Sequence, residues 1–203
     1  MSILGVVMAG GRNTRFGDIK AFARIGSARI IDVVIVAVGA VTDDVVLIAN
    51  DAEAYASAGL EMRGDLIQNK GPLGGIHAAL SWAKERGDRG IIVAACDMPF
   101  ASIPLLELIA AAAAAHDAVL PESDSRRGVE PLFGYYSVKC LPAIEAAIAR
   151  DDRRMIGFHD DVDVHRIPSA EVREIGEPEV LFMNVNTQDD LARAEQILDG
   201  RRK

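Results

Sequence analysis

Short β-branched apolar runs alternate with longer alanine-rich runs along most of the chain, and this rhythm constrains its fold more than any other feature. Residues 5–8, 45–49, 61–63, 91–95, 118–120, 131–136 and 162–167 read as strands. Several are continuous apolar runs, the pattern of a parallel sheet covered on both faces. Residues 51–58, 73–85, 103–115, 138–150 and 188–198 read as helices, the last announced by Thr187-Gln-Asp-Asp190, which is close to a capping box. Such alternation predicts an α/β layered domain. Residues 30–38 have strand-like composition, yet a crossover between parallel strands at 5–8 and 45–49 needs a helix, so topology predicts a helix there. Residues 151–163 are charged and irregular and are expected to form the most mobile surface.

With 203 residues and no linker, repeat or composition break, the chain is expected to form one domain over 1–203. A net charge of −8 argues against nonspecific binding to nucleic acid or a membrane surface. The apolar stretch 30–41 is interrupted by Asp32 and Gly39, too short to span a bilayer, and the N-terminus lacks the cationic start of a signal peptide. Two cysteines, Cys96 and Cys140, cannot build a disulfide framework, and a cytoplasmic location is expected. His77, His116, His159 and His165 show no metal-ligand spacing.

The chemistry concentrates where strands end. The first strand runs into Met8-Ala-Gly-Gly11, followed by Arg12, Arg15, Gly17 and Lys20. Glycines let backbone N–H groups approach an anion, and the cations supply the charge that a polyphosphate demands. The spacing matches neither a Walker A loop nor a dinucleotide fingerprint; the alternative is a solvated basic turn. The strand 91–95 delivers Asp97 at its carboxyl end, where open α/β sheets place their ligands. A carboxylate there suits a hard cation such as Mg²⁺, or else caps the next helix. Gly71-Pro-Leu-Gly-Gly75 opens a helix whose N–H groups can receive a base or phosphate, or it is an ordinary loop. Asn184 and Asn186 alternate along an extended segment, to bind a ligand or to cap the following turn.

Taken together, these motifs resemble the MobA-like nucleotidyltransferases. Met8-Ala-Gly-Gly with Arg15, Gly17 and Lys20, then Gly71-Pro-Leu-Gly-Gly, Cys96-Asp-Met-Pro and Asn184-Val-Asn-Thr-Gln-Asp-Asp-Leu191, follow the family's order and spacing over nearly the whole chain. The resemblance implies a Rossmann-like, mostly parallel sheet with helices on both faces. It implies an enzyme that transfers GMP from GTP to the terminal phosphate of molybdopterin, with or without molybdenum, using Mg²⁺ and releasing pyrophosphate. Alternatives are a relative using CTP or a sugar-phosphate acceptor, and a noncatalytic GTP-binding module.

By position, the resemblance assigns Met8, Ala9, Gly10, Gly11 and Gly71 to the nucleotide, Asp65 to a GTP contact, and Asp97 to Mg²⁺. Arg15 and Lys20 would offset charge on the phosphates, and Asn184 and Asn186 would shape the acceptor side. Molybdoenzyme maturation proteins are implied as candidate partners. The chain departs from the family in having Met8 where Leu is usual and Ile48 where some members carry Asn. It also has Gly26-Ser-Ala-Arg29 where Gly-x-Pro-Leu is usual before a helix.

Overall fold

The computed structural model describes residues 2–10 and 20–201, with only the backbone of Lys20 and Arg201. The first strand, β1 (Leu4–Met8), is followed by a two-stranded ribbon of β2 (Arg24–Ile25) and β3 (Ala28–Arg29). Its two-residue turn places Gly26 at φ 60°, a left-handed conformation that glycine adopts without penalty. Helix α1 (Ile30–Gly39) starts directly after it, with Asp32 in its first turn bonded twice by the Arg29 guanidinium, both at 2.7 Å. The residues that replace the family's usual Gly-x-Pro-Leu therefore form a hairpin, and the helix start survives.

The order continues β4 (Asp44–Ile48), α2 (Ala52–Tyr55), β5 (Met62–Arg63), α3 (Pro72–Arg86), β6 (Gly90–Ala95), α4 (Ile103–Ala112), β7 (Ala118–Pro121), β8 (Phe133–Ser137), α5 (Leu141–Ala149) and β9 (Val164–Ile167). It closes with α6 (Ser169–Ile175), α7 (Pro178–Leu181) and α8 (Gln188–Arg201). Seven strands form one sheet in the order β5-β4-β1-β6-β8-β7-β9. β5, β4, β1 and β6 are mutually parallel, β8 is antiparallel to both neighbours, and β7 and β9 are parallel. The mostly parallel α/β reading holds.

Strand alternation divides the core in two. Val7, Leu47 and Ile92 pack with Ile31, Val34 and Val38 of α1 and Leu105, Leu106 and Ile109 of α4. Val6, Val46 and Ile91 face the other way, onto Leu73, Ile76 and Leu80 of α3 and Ile144 and Ile148 of α5. The β-branched composition of α1 is overridden because Ile30, Ile31, Val34, Ala37 and Val38 bury one helical face against the sheet. A third, smaller cluster of Ile25, Ile30, Phe100, Met183, Val185 and Ala194 seats α8. The capping box at α8 forms as the sequence predicts, with Thr187 N–H donating to the Asp190 carboxylate at 2.8 Å and Asp190 N–H to Thr187 Oγ1 at 3.1 Å.

Residues 151–163 correct the sequence reading. They fold into turns and a short 3-10 helix, His159–Asp161, and bury Met155 and Phe158 in the α3–α5 core. The Phe158 ring lies 6.1 Å from that of Tyr136. The abundant charges masked these two apolar anchors, spaced one turn apart. Burial, with the charge of Arg166, lowers the pKa of His159 to about 4, so it packs as a neutral ring. α6 and α7 are short elements that the sequence reading left as connections. Among the described residues, no helix is long and apolar enough to cross a membrane.

Candidate functional site

The carboxyl ends of β1, β4 and β6 open onto a cleft of about 450 Å³. Past the end of β1, Ala9 N–H donates to Ile48 O at 2.9 Å, and Met8 O accepts from Cys96 N–H at 2.9 Å. The strand end is thus stitched to both neighbours before it reaches Gly10, and Met8, Ala9 and Gly10 all line the cleft. β6 delivers Cys96 and Asp97 beside them. The Asp97 side chain is half-buried, and its main-chain carbonyl accepts from Val185 N–H at 2.9 Å, which brings Asn184 to the same cleft wall.

Tyr55 of α2 supports this floor from below. It is buried, its ring sits 5.8 Å from Phe22, and its hydroxyl bonds the Cys96 thiol. Burial first, then the neighbouring Cys96 and Asp97, push the hydroxyl pKa far up, so Tyr55 remains a neutral donor.

The opposite wall is the start of α3. Gly71 caps it at φ 60°, ψ −150°, backbone space that only glycine occupies freely, and Pro72 follows in the first turn. Gly75 lies one turn on, and a Cβ there would overlap the terminal methyl of Met8. Before this helix, Asp65 is held by Asn50 in a reciprocal pair. Asn50 Nδ2 donates to Asp65 Oδ2 at 2.9 Å, and Asp65 N–H donates to Asn50 Oδ1 at 2.8 Å. Gln68 Nε2 donates to Asp65 O at 2.8 Å, and Asn69 adopts φ 63°. Lys70 anchors the loop to the far side through Asp151 at 2.8 Å.

The cleft therefore collects Met8, Ala9, Gly10, Asp65, Gly71, Asp97 and Asn184 from sites far apart in sequence. Gly11 and Arg15 lie outside the described residues, as does the Lys20 side chain. Asn186 is exposed and its N–H is bonded by the Asp190 carboxylate at 2.9 Å; it stands next to Asn184 but does not line the cleft. Sequence reasoning missed Gln68 and Asn69, which also line it. Their signal was a polar pair just before a glycine cap, the kind of position where Asn tolerates a left-handed backbone.

Chemically, the cleft offers an apolar floor, glycine-lined backbone and a helix N-terminus, with two carboxylates, Asp65 and Asp97, on different walls. Among the described residues no group of three or more His, Cys, Asp or Glu converges. A single strand-end carboxylate in a roomy cleft fits a hard cation that takes most of its oxygens from water and phosphate.

Residues 5–162 match the model of the MobA-like NTP transferase domain. The molybdenum cofactor guanylyltransferase of Desulfosudis oleivorans is 32% identical over 203 aligned residues, covering 99% of this chain and 98% of its own. That of Mesorhizobium japonicum is 30% identical and covers 98% and 97% respectively. The crystal structure of molybdopterin-guanine dinucleotide biosynthesis protein A from Archaeoglobus fulgidus superposes with a TM-score of 0.78 at 30% identity, covering 98% of this chain and all of that one.

Proposed function

Because the chain belongs to the MobA-like NTP transferases, we propose that it transfers GMP from GTP to the terminal phosphate of molybdopterin, releasing pyrophosphate. The observation that carries this reading is the convergence of the β1 end, Asp65, the α3 start, Asp97 and Asn184 on one cleft. The base and ribose lie between Met8–Gly10 and the Gly71–Gly75 turn, with Asp65 accepting a donor from the nucleoside. The triphosphate runs toward Asp97. Gly11, Arg15 and Lys20 belong to the same phosphate-binding segment and offset charge on the leaving pyrophosphate.

An oxygen of the acceptor phosphate attacks the α-phosphorus in line. The new P–O bond forms as the bond to the β-phosphate oxygen breaks, and its electron pair leaves with pyrophosphate. The nucleophile is already an anion, so the protein needs no strong base, and its work is alignment and charge compensation. Asp97 would hold Mg²⁺, which when bound would offset the negative charge of the phosphates. The stitched ends of β1 and β6 keep the nucleotide floor and the Asp97 carboxylate in fixed register. Asn184, and Asn186 beside it, lie on the acceptor side. Cys96 and Cys140 are buried and form no disulfide, which suits a reducing cytoplasm.

The test is competition among GTP, CTP and ATP with molybdopterin and Mg²⁺, the dinucleotide product identified by mass. We expect kcat/KM for GTP to exceed the others by at least about tenfold, since a mismatched base leaves polar groups unpaired. Equal or greater efficiency with CTP would move the protein to cytidylyl transfer.

Asn50 gives a second expectation. Asn50→Ala removes both bonds that fix Asp65. The KM for GTP should rise about tenfold while kcat changes little. Adding Asn50→Ala to Asp65→Ala should then cost nothing further, and additive losses would show that Asn50 acts independently of Asp65.

A further inference from the structure

The ligand edge of the sheet does not stop at Asp97. β8 is antiparallel to β6, with Phe133 opposite Ala94, and β7 returns antiparallel to β8. The connection 122–132 therefore emerges on the same edge as the cleft, on the side of Asp97 away from β1 and β4. Its last part already reaches the cleft. Leu132 lines the wall and its carbonyl accepts from Ala95 N–H at 3.0 Å.

This connection is a built hairpin. Ser123 N–H donates to Gly128 O at 3.1 Å, Gly128 N–H to Ser125 O at 2.9 Å, and Ser125 Oγ to Val129 O at 3.2 Å. Its carboxylates are each engaged inside the protein. Glu122 accepts from Ser169 N–H at 2.9 Å, Asp124 pairs with Arg173 at 3.0 Å, and the buried Glu130 accepts from Leu132 N–H at 3.2 Å. Its two cations are not so engaged. Among the described residues, Arg126 and Arg127 form no salt bridge or side-chain hydrogen bond, and both are exposed at the hairpin tip. The loop thus neutralises its own negative charge and presents a pair of exposed guanidinium groups on a hydrogen-bonded backbone, in a chain whose net charge is −8.

Glu130 links the hairpin to the site. Burial raises the pKa of its carboxyl, the Leu132 N–H and Arg127 lower it and Asp97 raises it, so Glu130 feels the charge of Arg127 on one side and of Asp97 on the other.

Building on the guanylyl-transfer reading, we propose that Arg126 and Arg127 form the acceptor's anion subsite, receiving its terminal phosphate monoester and holding it on the Asp97 side opposite the nucleotide. Guanidinium groups suit this task because their planar donor fork matches phosphate oxygens and keeps its charge at any working pH. The arrangement also divides the labour of the edge. The β1–β4–β6 end takes GTP, the β7–β8 hairpin takes the second phosphate, and Asp97 stands between them.

The experiment uses the full chain with Arg127→Ala, Arg126→Ala/Arg127→Ala and Arg127→Lys. Initial rates are measured against molybdopterin at saturating GTP, and against GTP at saturating molybdopterin. Equilibrium binding of molybdopterin is titrated separately, without nucleotide. Both arginines are exposed, so the variants should melt with the wild type. We expect the double variant to raise the molybdopterin KM and Kd roughly 10- to 100-fold, as loss of charged hydrogen bonds does. The GTP KM should stay within about twofold, and the salt dependence of molybdopterin binding should flatten. Arg127→Lys should restore part of the affinity.

Unchanged molybdopterin binding in the double variant would overturn the subsite. So would a GTP KM that rises as steeply as the molybdopterin KM, which would place the hairpin at the nucleotide. If the wild type binds molybdopterin through these arginines yet transfers no GMP, the subsite stands and the reading of the reaction falls. If the wild type does not bind molybdopterin, both fall.

Discussion

Asp97→Asn should lower the rate of Mg²⁺-dependent pyrophosphate release about 10²- to 10³-fold, the usual loss when one preorganised charged group is removed from a site that stabilises phosphate charge. The change is isosteric, and it leaves in place the main-chain bonds from Val185 N–H to Asp97 O and from Cys96 N–H to Met8 O. The strand end should therefore keep its shape, and thermal unfolding should shift by no more than a degree or two, on the order expected of a half-exposed substitution. Isothermal titration with Mn²⁺ in the presence of a non-hydrolysable GTP analogue should show the metal affinity lost with the carboxylate. Pyrophosphate release at the wild-type rate would remove Asp97 from the metal and phosphate chemistry altogether.

The second large effect concerns stability. Phe158→Ala should cost about 3–5 kcal/mol, measured by urea unfolding, because it empties a fully buried aromatic site between α5, β8 and the 3-10 turn. A solvated loop would give a change within about 0.5 kcal/mol. That smaller value would return residues 151–163 to the surface role their charge suggests. The effect should also reach the cleft, since Lys70 of the Asp65–Gly71 loop is tied to Asp151 at the edge of the same segment.

How much was legible in the sequence follows from what each signal depends on. β1, β4, β6 and α3 announce themselves because each is a mostly apolar run bounded by glycine or turn residues. Helix α1 was legible only through connectivity, since the residues of Ile30–Gly39 favour a strand and the sheet overrules them. Phe158 was hidden because composition averages over a window, whereas two buried side chains among many charges are enough to pin a turn. Asp97 and the Gly71 cap were legible because a strand end and a positive φ each demand a particular residue type. The Asn50–Asp65 pair was not, because it joins residues 15 apart through side chains, and no spacing rule encodes such a contact. The role of the 122–132 hairpin needed the antiparallel turn of β8, which residue type alone does not reveal.

Met8 and Gly75 carry a consequence for how such a site can change over time. The methionine methyl occupies the space that any side chain at position 75 would need. The two positions are one steric unit split between a strand end and a helix. A side chain at 75 would push the flexible end of Met8 aside into the cleft, and shortening Met8 would open a void in the floor that receives the nucleoside. A change at either position therefore reshapes the base site through the other. A lineage, or an engineer, that seeks a new nucleotide preference gains most from paired substitutions, and libraries should vary residues 8 and 75 together.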